Sequence, residues 1–253
     1  MTISIITVAL NVRSTVEDAI TSVLGQTYKN IEYVIIDGGS TDGTLDIVNK
    51  YKDRISKVVS EPDKGIYDGM NKGILVASGD IVGFLNADDM FYDNAVIQRI
   101  ALAFESNTID CVHGDLVYVN RRGPNRITRV WKSREFTEGL FEKSWTPAHP
   151  TFYCKKSVYE QFGLYRTDFK IAADVELMYR FLQKNHIKSK YVAADFVRMR
   201  DSGVSSRGIQ STVVITREMK KAINENGGHF NLIKYLFFKF LKINSLLKAY
   251  GKR

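Results

Sequence analysis

The acidic and amide side chains of this sequence gather in a few short clusters, and those clusters set what chemistry it can do. The sharpest is Asp80-Ile-Val-Gly-Phe-Leu-Asn-Ala-Asp-Asp89, where an apolar run over 81–85 ends abruptly in Asn86, Ala87, Asp88 and Asp89. An unpaired carboxylate in a core costs roughly several kcal/mol, so this pair belongs at a surface or against a cation. Hard divalent cations take oxygen ligands and share them with a substrate's phosphates, which makes a metal–diphosphate site one reading. Taken alone, the stretch reads first as a solvated acidic turn that caps the next helix through Asp93 or Asn94.

Other clusters resemble it in kind. Asp37 follows an apolar run and precedes Gly-Gly, where a carboxylate could accept the N–H of a nucleobase. Asp42, a little further on, reads as a helix N-cap. Glu61-Pro-Asp-Lys-Gly65 enters a helical pattern, so Asp63 can meet base or ribose and Lys64 or Lys72 can meet phosphate or simply line an exposed helix face. Downstream, Asp174 and Glu176 stand at the start of a pattern whose Leu177, Met178 and Phe181 face inward. Asp174 is either an N-cap or a general base that must reach an attacking hydroxyl, and Glu176 is a partner for the helix dipole or for substrate. His149, in Trp145-Thr-Pro-Ala-His-Pro150, is a ligand, an acceptor contact or a structural histidine.

These clusters need elements to hold them. Strand patterns over 3–8, 31–36, 55–59, 81–85 and 111–119 alternate with helix patterns over 16–24, 45–48, 66–76 and 95–104. Strands separated by helices imply βαβ units and a largely parallel sheet, whose ligands sit beyond the carboxyl ends of the strands. The polar residues cluster there: within 7–11, Thr7 and Asn11, then 37–42, Asp63 and 86–89. Four polar strand ends in succession make a chance acidic turn the less economical account of the fourth. Residues 121–152 are less regular, rich in Trp and Arg, and are expected to cover the site and meet a second substrate.

Composition narrows the classes. The chain has 253 residues, 44% hydrophobic and 25% charged, as a soluble globular protein has. Cys111 and Cys154 follow no metal-ligand spacing and read as reduced, buried thiols of a cytosolic protein; the first residues read as a strand, not a signal peptide. There is no G-x-G-x-x-G after the first strand and no phosphate-loop motif, so a nucleotide would be held mainly by side chains and a metal. The net charge is +8. Residues 229–253 carry six Lys/Arg (Lys234, Lys239, Lys242, Lys248, Lys252, Arg253) and no acidic residue, among dense Leu, Ile, Phe and Tyr. Such a segment suits a helix on the cytoplasmic face of an anionic bilayer; the alternative is a docked helix with snorkelling lysines. No nucleic-acid motif accompanies the charge, so no nucleic-acid partner is expected.

Together the segments Ser4-Ile-Ile-Thr-Val8, Ser22-Val-Leu-Gly-Gln-Thr-Tyr28, Glu32-Tyr-Val-Ile-Ile-Asp-Gly-Gly-Ser-Thr-Asp-Gly-Thr44, Asn71-Lys-Gly73, Ala77-Ser-Gly-Asp80 and Phe84-Leu-Asn-Ala-Asp-Asp89 resemble a family 2 glycosyltransferase of the bacterial cell-surface polysaccharide branch. The resemblance runs in the family's order to about residue 90 and more loosely through His149 and Asp174 to about residue 200. It implies the α/β GT-A fold, a Rossmann-like, mostly parallel sheet flanked by helices, over 1–205, with a basic amphipathic helical region over 206–253. It implies an inverting enzyme that uses a nucleotide-diphosphate sugar, a saccharide acceptor (polyprenyl-diphosphate-linked, to suit the tail) and a divalent cation, Mn2+ or Mg2+, at the inner face of the cytoplasmic membrane. Asp37 and Asp63 match nucleotide-binding positions, with Thr7, Ala9, Asn11, Asn71, Asn86 and Ala87 as further expected contacts. Asp88 matches the metal ligand of a D-x-D motif and Asp174 the base; Asp89, His149 and Glu176 are expected near acceptor or donor sugar. Asn86 departs from the first Asp of D-x-D, and Ala173-Asp174 stands where many members have Glu-Asp. The rivals are a nucleotidyltransferase, whose Gly-rich basic loop is missing here, and a non-catalytic nucleotide-sugar binder.

Overall fold

Strands β1 (Ile3–Ala9) and β2 (Ile31–Asp37) are apolar on both faces because both faces are covered. Ile5, Tyr33 and Ile35 point into one core layer with helix α1 (Val16–Leu24) and α4 (Val96–Phe104). Ile6, Val34 and Ile36 point into the other, with α3 (Ile66–Val76). Between them α2 (Thr44–Lys50) buries Val48 in the first layer. The computed structural model describes residues 1–106, 108–120, 123–201 and 208–250. The expected boundary at 205/206, the side chains of Lys242 and Lys248, and residues Arg121, Lys252 and Arg253 lie outside the described residues.

The expected parallel pairing holds for β3 (Lys57–Ser60), β2, β1 and β4 (Ile81–Phe84), which pair in that order. Beyond β4 the sheet becomes mixed. There β8 (Tyr153–Lys155) runs antiparallel between β4 and β6 (Cys111–Asn120), β9 (Ser189–Arg200) lies parallel to β6, and β5 (Met90–Phe91) and β7 (Gly123–Trp131) close the edges. A chain that returns by β8 from a distant loop needs no crossover helix, and helix–strand alternation gives no signal for it. Within 121–152, expected to be less regular, β7 is a strand paired to β6 with shifts in register near Val119, and the loops begin after Trp131. The glycine in the Ile-Val-Gly-Phe strand answers to β8: a Cβ on Gly83 would lie 2.0 Å from the Tyr153 ring. Gly73 plays the same part on α3, where a Cβ would stand 2.4 Å from Ile6.

On the second layer sit α5 (Lys156–Phe162), α6 (Ala173–Tyr179) with a wide turn over Arg180–Lys184, and α7 (Gly208–Glu225). Met219, Ala222 and Ile223 of α7 join the same core as Leu177 and Met178 of α6. The last helix, α8 (Leu232–Tyr250), buries Tyr235 but exposes Leu232, Ile233, Leu236, Phe237, Phe240 and Leu241. Among the described residues no helix is long and apolar enough to cross a membrane.

At the amino ends of the strands Glu32 is buried and accepts hydrogen bonds from Ser4 Oγ (2.6 Å), Ser78 Oγ (2.7 Å) and the Ser78 N–H (2.7 Å). Burial alone would raise its pKa, but those donors and Lys57 hold it down at about 2. The Ala77-Ser-Gly-Asp80 match is therefore a latch on the far side of the sheet from the strand ends that carry Asp37 and Asp88.

Candidate active site

The parallel register places Ala9 beside Asp37 and Asp37 beside Ser60, so three strand ends stand level. Asp37 is fully buried at the end of β2. Its Oδ2 accepts from the N–H of Gly39 (3.1 Å), the N–H of Ser40 (3.0 Å) and Ser60 Oγ (2.8 Å). Its Oδ1 is equally buried and has no protein partner. A buried carboxylate oxygen seeks a donor, and a base N–H arriving at this edge would supply one. Asp63 lies alongside: a Cβ on Gly38 would come within 2.5 Å of its Oδ2, so only glycine lets the two carboxylates flank the same peptide. Asp63 Oδ1 accepts the Gly65 N–H at 2.9 Å, at the mouth of α3.

The loop after β1 is stitched to the loop after β2. Asn11, with a left-handed backbone (φ 52), gives its N–H to Ser40 Oγ (2.8 Å) and accepts the Thr41 N–H (2.9 Å). Asp42 accepts from the N–H groups of Arg13 and Thr44; helix α2 starts at Thr44 after a left-handed Gly43, two residues past the expected cap. Thr7 is buried against the Tyr33 hydroxyl (3.2 Å) and Ala9 is buried at the strand's end. Lys72 spends its ammonium on Glu61 (2.8 Å) and on the Pro62 carbonyl (3.0 Å).

The Asn86–Asp89 turn divides its labour. Asn86, half-buried, donates from Nδ2 to Asp89 Oδ2 at 2.9 Å. Asp89 is buried, and its Oδ1 accepts the Arg200 N–H at 3.0 Å. Burial first, and then the Asp88 charge, raise its pKa well above the carboxylate range. Arg200, at the end of β9, also donates to the Asp88 carbonyl (2.5 Å) and to Asp18 of α1. Asp89 therefore orients the turn. Asp88 alone sends an exposed carboxylate outward, with no side-chain partner among the described residues, and Ala87 is buried between them.

Phe84, two residues before this turn, carries the contact across to the base candidate. Its ring lies 5.6 Å from those of His149 and Tyr165. His149 Nε2 bonds the Tyr165 hydroxyl at 2.7 Å, and burial pushes the histidine down to about 4, so it is neutral at pH 7. Tyr165 stacks on Tyr67 at 5.9 Å, and the Tyr67 hydroxyl lies 3.5 Å from Asp174 Oδ1 while donating to the Ile171 carbonyl. Burial in this aromatic pocket, and to a lesser extent the charge of Glu218, push Asp174 up to about 6; backbone N–H groups and the Tyr67 hydroxyl pull the other way. That value suits a group that takes a proton near neutral pH.

Two expected contacts have other work. Both Asn71 amide groups bind the backbone of Tyr165 (2.8 and 2.9 Å), fixing that loop on α3. Glu176 is buried, its carboxylate forked by Arg180 (3.0 and 2.9 Å) and capped by Asn226 Nδ2 (3.0 Å). Conversely, no local signal marks Arg200, Tyr67, Tyr165 or Glu218, whose partners lie tens to more than a hundred residues away.

Among the described residues no three His, Cys, Asp or Glu side chains converge as a ready-made metal cage. One outward carboxylate nonetheless fits Mn2+ or Mg2+, which complete their shells with substrate phosphates and water. Asp88 would hold the ion, with Asn86 beside it as a neutral oxygen donor.

Solved structures share this architecture. Residues 1–349 of TarS from S. aureus, solved with UDP-GlcNAc, superpose with a TM-score of 0.66 at 17% identity, over 88% of this chain and 66% of that one. The mannosyltransferase PcManGT from Pyrobaculum calidifontis, solved with GDP-Man and Mn2+, gives 0.66 at 17% identity, over 94% and 68%. Fold and site together define a glycosyltransferase with the GT-A fold. The sequence model described as glycosyl transferase family 2 matches residues 4–163, and the chain belongs to that family. Among curated relatives, a glycosyltransferase of PGL/p-HBAD biosynthesis from Mycobacterium bovis is 28% identical over 222 residues, 86% of this chain and 82% of that protein. WfaP of Escherichia coli, a UDP-Glc:α-D-GlcNAc-diphosphoundecaprenol β-1,3-glucosyltransferase, is 39% identical over 99 residues, 39% of each chain.

Proposed function

We propose that this enzyme moves a sugar from a UDP- or GDP-linked donor to a saccharide acceptor, with inversion, in the assembly of a surface glycan or glycolipid. The observation that carries the mechanism is Asp174: a carboxylate with a pKa near neutrality, facing the sheet edge through an aromatic relay that ends at Phe84 and the Asn86–Asp89 turn. Asp37 and Asp63 receive the base and ribose, and the unpartnered Oδ1 of Asp37 gains a donor when they do. Asp88 would hold Mn2+ or Mg2+, which when bound would supply neutralising charge at the diphosphate. Asp174, ionised, takes the proton of the acceptor hydroxyl as that oxygen attacks the anomeric carbon and the bond to the diphosphate breaks. Neutral His149 keeps Tyr165 in place beneath the pocket.

A panel of nucleotide sugars, each with Mn2+ or Mg2+, tests the reading. Metal-dependent release of UDP or GDP is expected from one donor, and Asp174→Asn should abolish it with folding intact. Turnover near the parent level in that variant would sink the base assignment.

The diphosphoundecaprenol-linked acceptor of the Escherichia coli relative, together with the basic apolar tail, supports a lipid-linked acceptor at the inner face of the cytoplasmic membrane. The exposed face of α8 (Ile233, Phe237, Phe240) would enter the headgroup boundary, with Lys234 and Lys239 near anionic lipid. Flotation with vesicles of anionic lipid is expected, and it should fail for the Ile233→Asp/Phe237→Asp/Phe240→Asp variant. Equal flotation of both proteins, or none by the parent, would refute it.

A further inference from the structure

Glu218 sits on α7, far from every motif, and its carboxylate gathers three consecutive backbone N–H groups. Oε1 accepts from Lys170 (2.7 Å), and Oε2 accepts from Ile171 (3.0 Å) and Ala172 (2.9 Å). Ala172 is the residue that opens α6, and Asp174 is the second residue of that helix. The same short segment is held from its other side, because the Ile171 carbonyl accepts the Tyr67 hydroxyl. One peptide is thus fixed at both ends of its dipole: N–H to α7, C=O to α3.

We infer that Glu218 is the positioning residue for the base, setting where the first turn of α6 presents Asp174. The inference rests on the reading of Asp174 as the base. An ionised carboxylate in a nest of backbone N–H groups makes charge-assisted bonds that neutral acceptors match poorly. The carrier is itself rigid. Met219, Ala222 and Ile223 anchor α7 in the core, while Lys221 and Glu225 pair with Asp168 and Arg166 at the start of the same loop. Glu218 also acts at a distance. The groups that face Asp174 are Tyr67 from α3, Tyr165 from the loop before α6, and Glu218 from α7; of these, Glu218 is the carboxylate whose charge acts on Asp174. Its negative charge favours the protonated form of Asp174, so removing that charge lets the base ionise at lower pH.

The test uses the full chain with Glu218→Gln, which keeps the shape and loses the charge, and Glu218→Asp, which keeps the charge and loses the reach. Hydrogen–deuterium exchange needs no substrate. The amides of 170–172 should exchange about 10-fold faster in both variants while those of β1 and β4 stay protected. With the best donor of the panel, kcat should fall about 10- to 100-fold, since small misplacements of reacting groups carry such penalties, with the donor KM near the parent's. The acid limb of the kcat–pH profile should move to lower pH in Glu218→Gln and stay in Glu218→Asp. Unchanged exchange at 170–172 overturns the proposal. So does faster exchange accompanied by parental kcat and an unmoved limb, which would leave Glu218 a strut for α7 alone. Failure of the base reading shows separately, as turnover surviving in Asp174→Asn.

Discussion

The proposed nucleotide side and the proposed base side of this site are fastened in different ways. Asp37 is held by the N–H groups two and three residues ahead, and Asp63 by the N–H two residues ahead. Those fastenings come from short stretches of sequence, the longest reach being Ser60 Oγ to Asp37, 23 residues apart. Asp174 takes its surroundings from Tyr67, 107 residues earlier, and from the Glu218 carboxylate that holds 170–172 from α7. A local fastening forms whenever its strand does, whereas a distant one exists only when the whole core has closed. The first side is therefore built to receive a ligand, and the second to be tuned by the rest of the protein.

The largest expected difference between the sides is kinetic. Asp174→Asn should lower turnover by about 10²- to 10⁴-fold, the usual contribution of a positioned base, and leave calorimetric binding of UDP or GDP intact. Asp88→Ala should act on binding as well as on rate. It should remove the metal-dependent part of nucleotide binding, and several kcal/mol of lost charge stabilisation would cost roughly 10²-fold or more in rate. Nucleotide affinity unchanged in Asp88→Ala would break the division between the sides.

Stability gives the next contrast. Because Asp174 has a folded pKa of about 6, above its ordinary value, folding favours its protonated form. The ionised form costs stability once the pH exceeds the folded pKa, and this penalty fades as pH falls from about 6 toward the ordinary carboxylate value. Asp174→Asn should thus unfold at a higher denaturant concentration at pH 8, by about 1–3 kcal/mol, and show no gain at pH 4. The wild-type kcat should fall as pH drops through about 6, from the same proton. By contrast Asn71→Ala, which frees the Tyr165 backbone on the base side, should destabilise by about 1–3 kcal/mol at any pH. The smallest effect is expected at Asp42: Asp42→Ala loosens the start of α2 by about 1 kcal/mol and should scarcely alter nucleotide affinity.

What could be read from the sequence follows the same divide. The parallel strands, α3 over its whole length and the level strand ends were legible because periodicity and turn residues are local signals. The turn back into β8 and the mixed pairing beyond β4 were not, since Tyr153 and Gly83 meet only in the closed sheet. Asp37, Asp88 and Asp174 stood out by residue type at an element's end. Glu176 stood out by the same signal and Asn71 by the family resemblance, yet they are consumed by Arg180 and Tyr165, because type and position do not reveal which neighbour arrives. Glu218 and Arg200 look like ordinary charges in the sequence.

Arg200 has one further consequence. Its guanidinium and N–H join Asp18, Asp88 and Asp89, partners separated from it by 182, 112 and 111 residues. During synthesis the strand that carries Asp37 and the loop that carries Asp63 leave the ribosome more than a hundred residues ahead of it. A nascent chain can thus assemble its nucleotide edge while the Asn86–Asp89 turn still lacks its clamp. Completion of that turn waits on β9, so an abandoned translation product would carry half a site and no means of closing it.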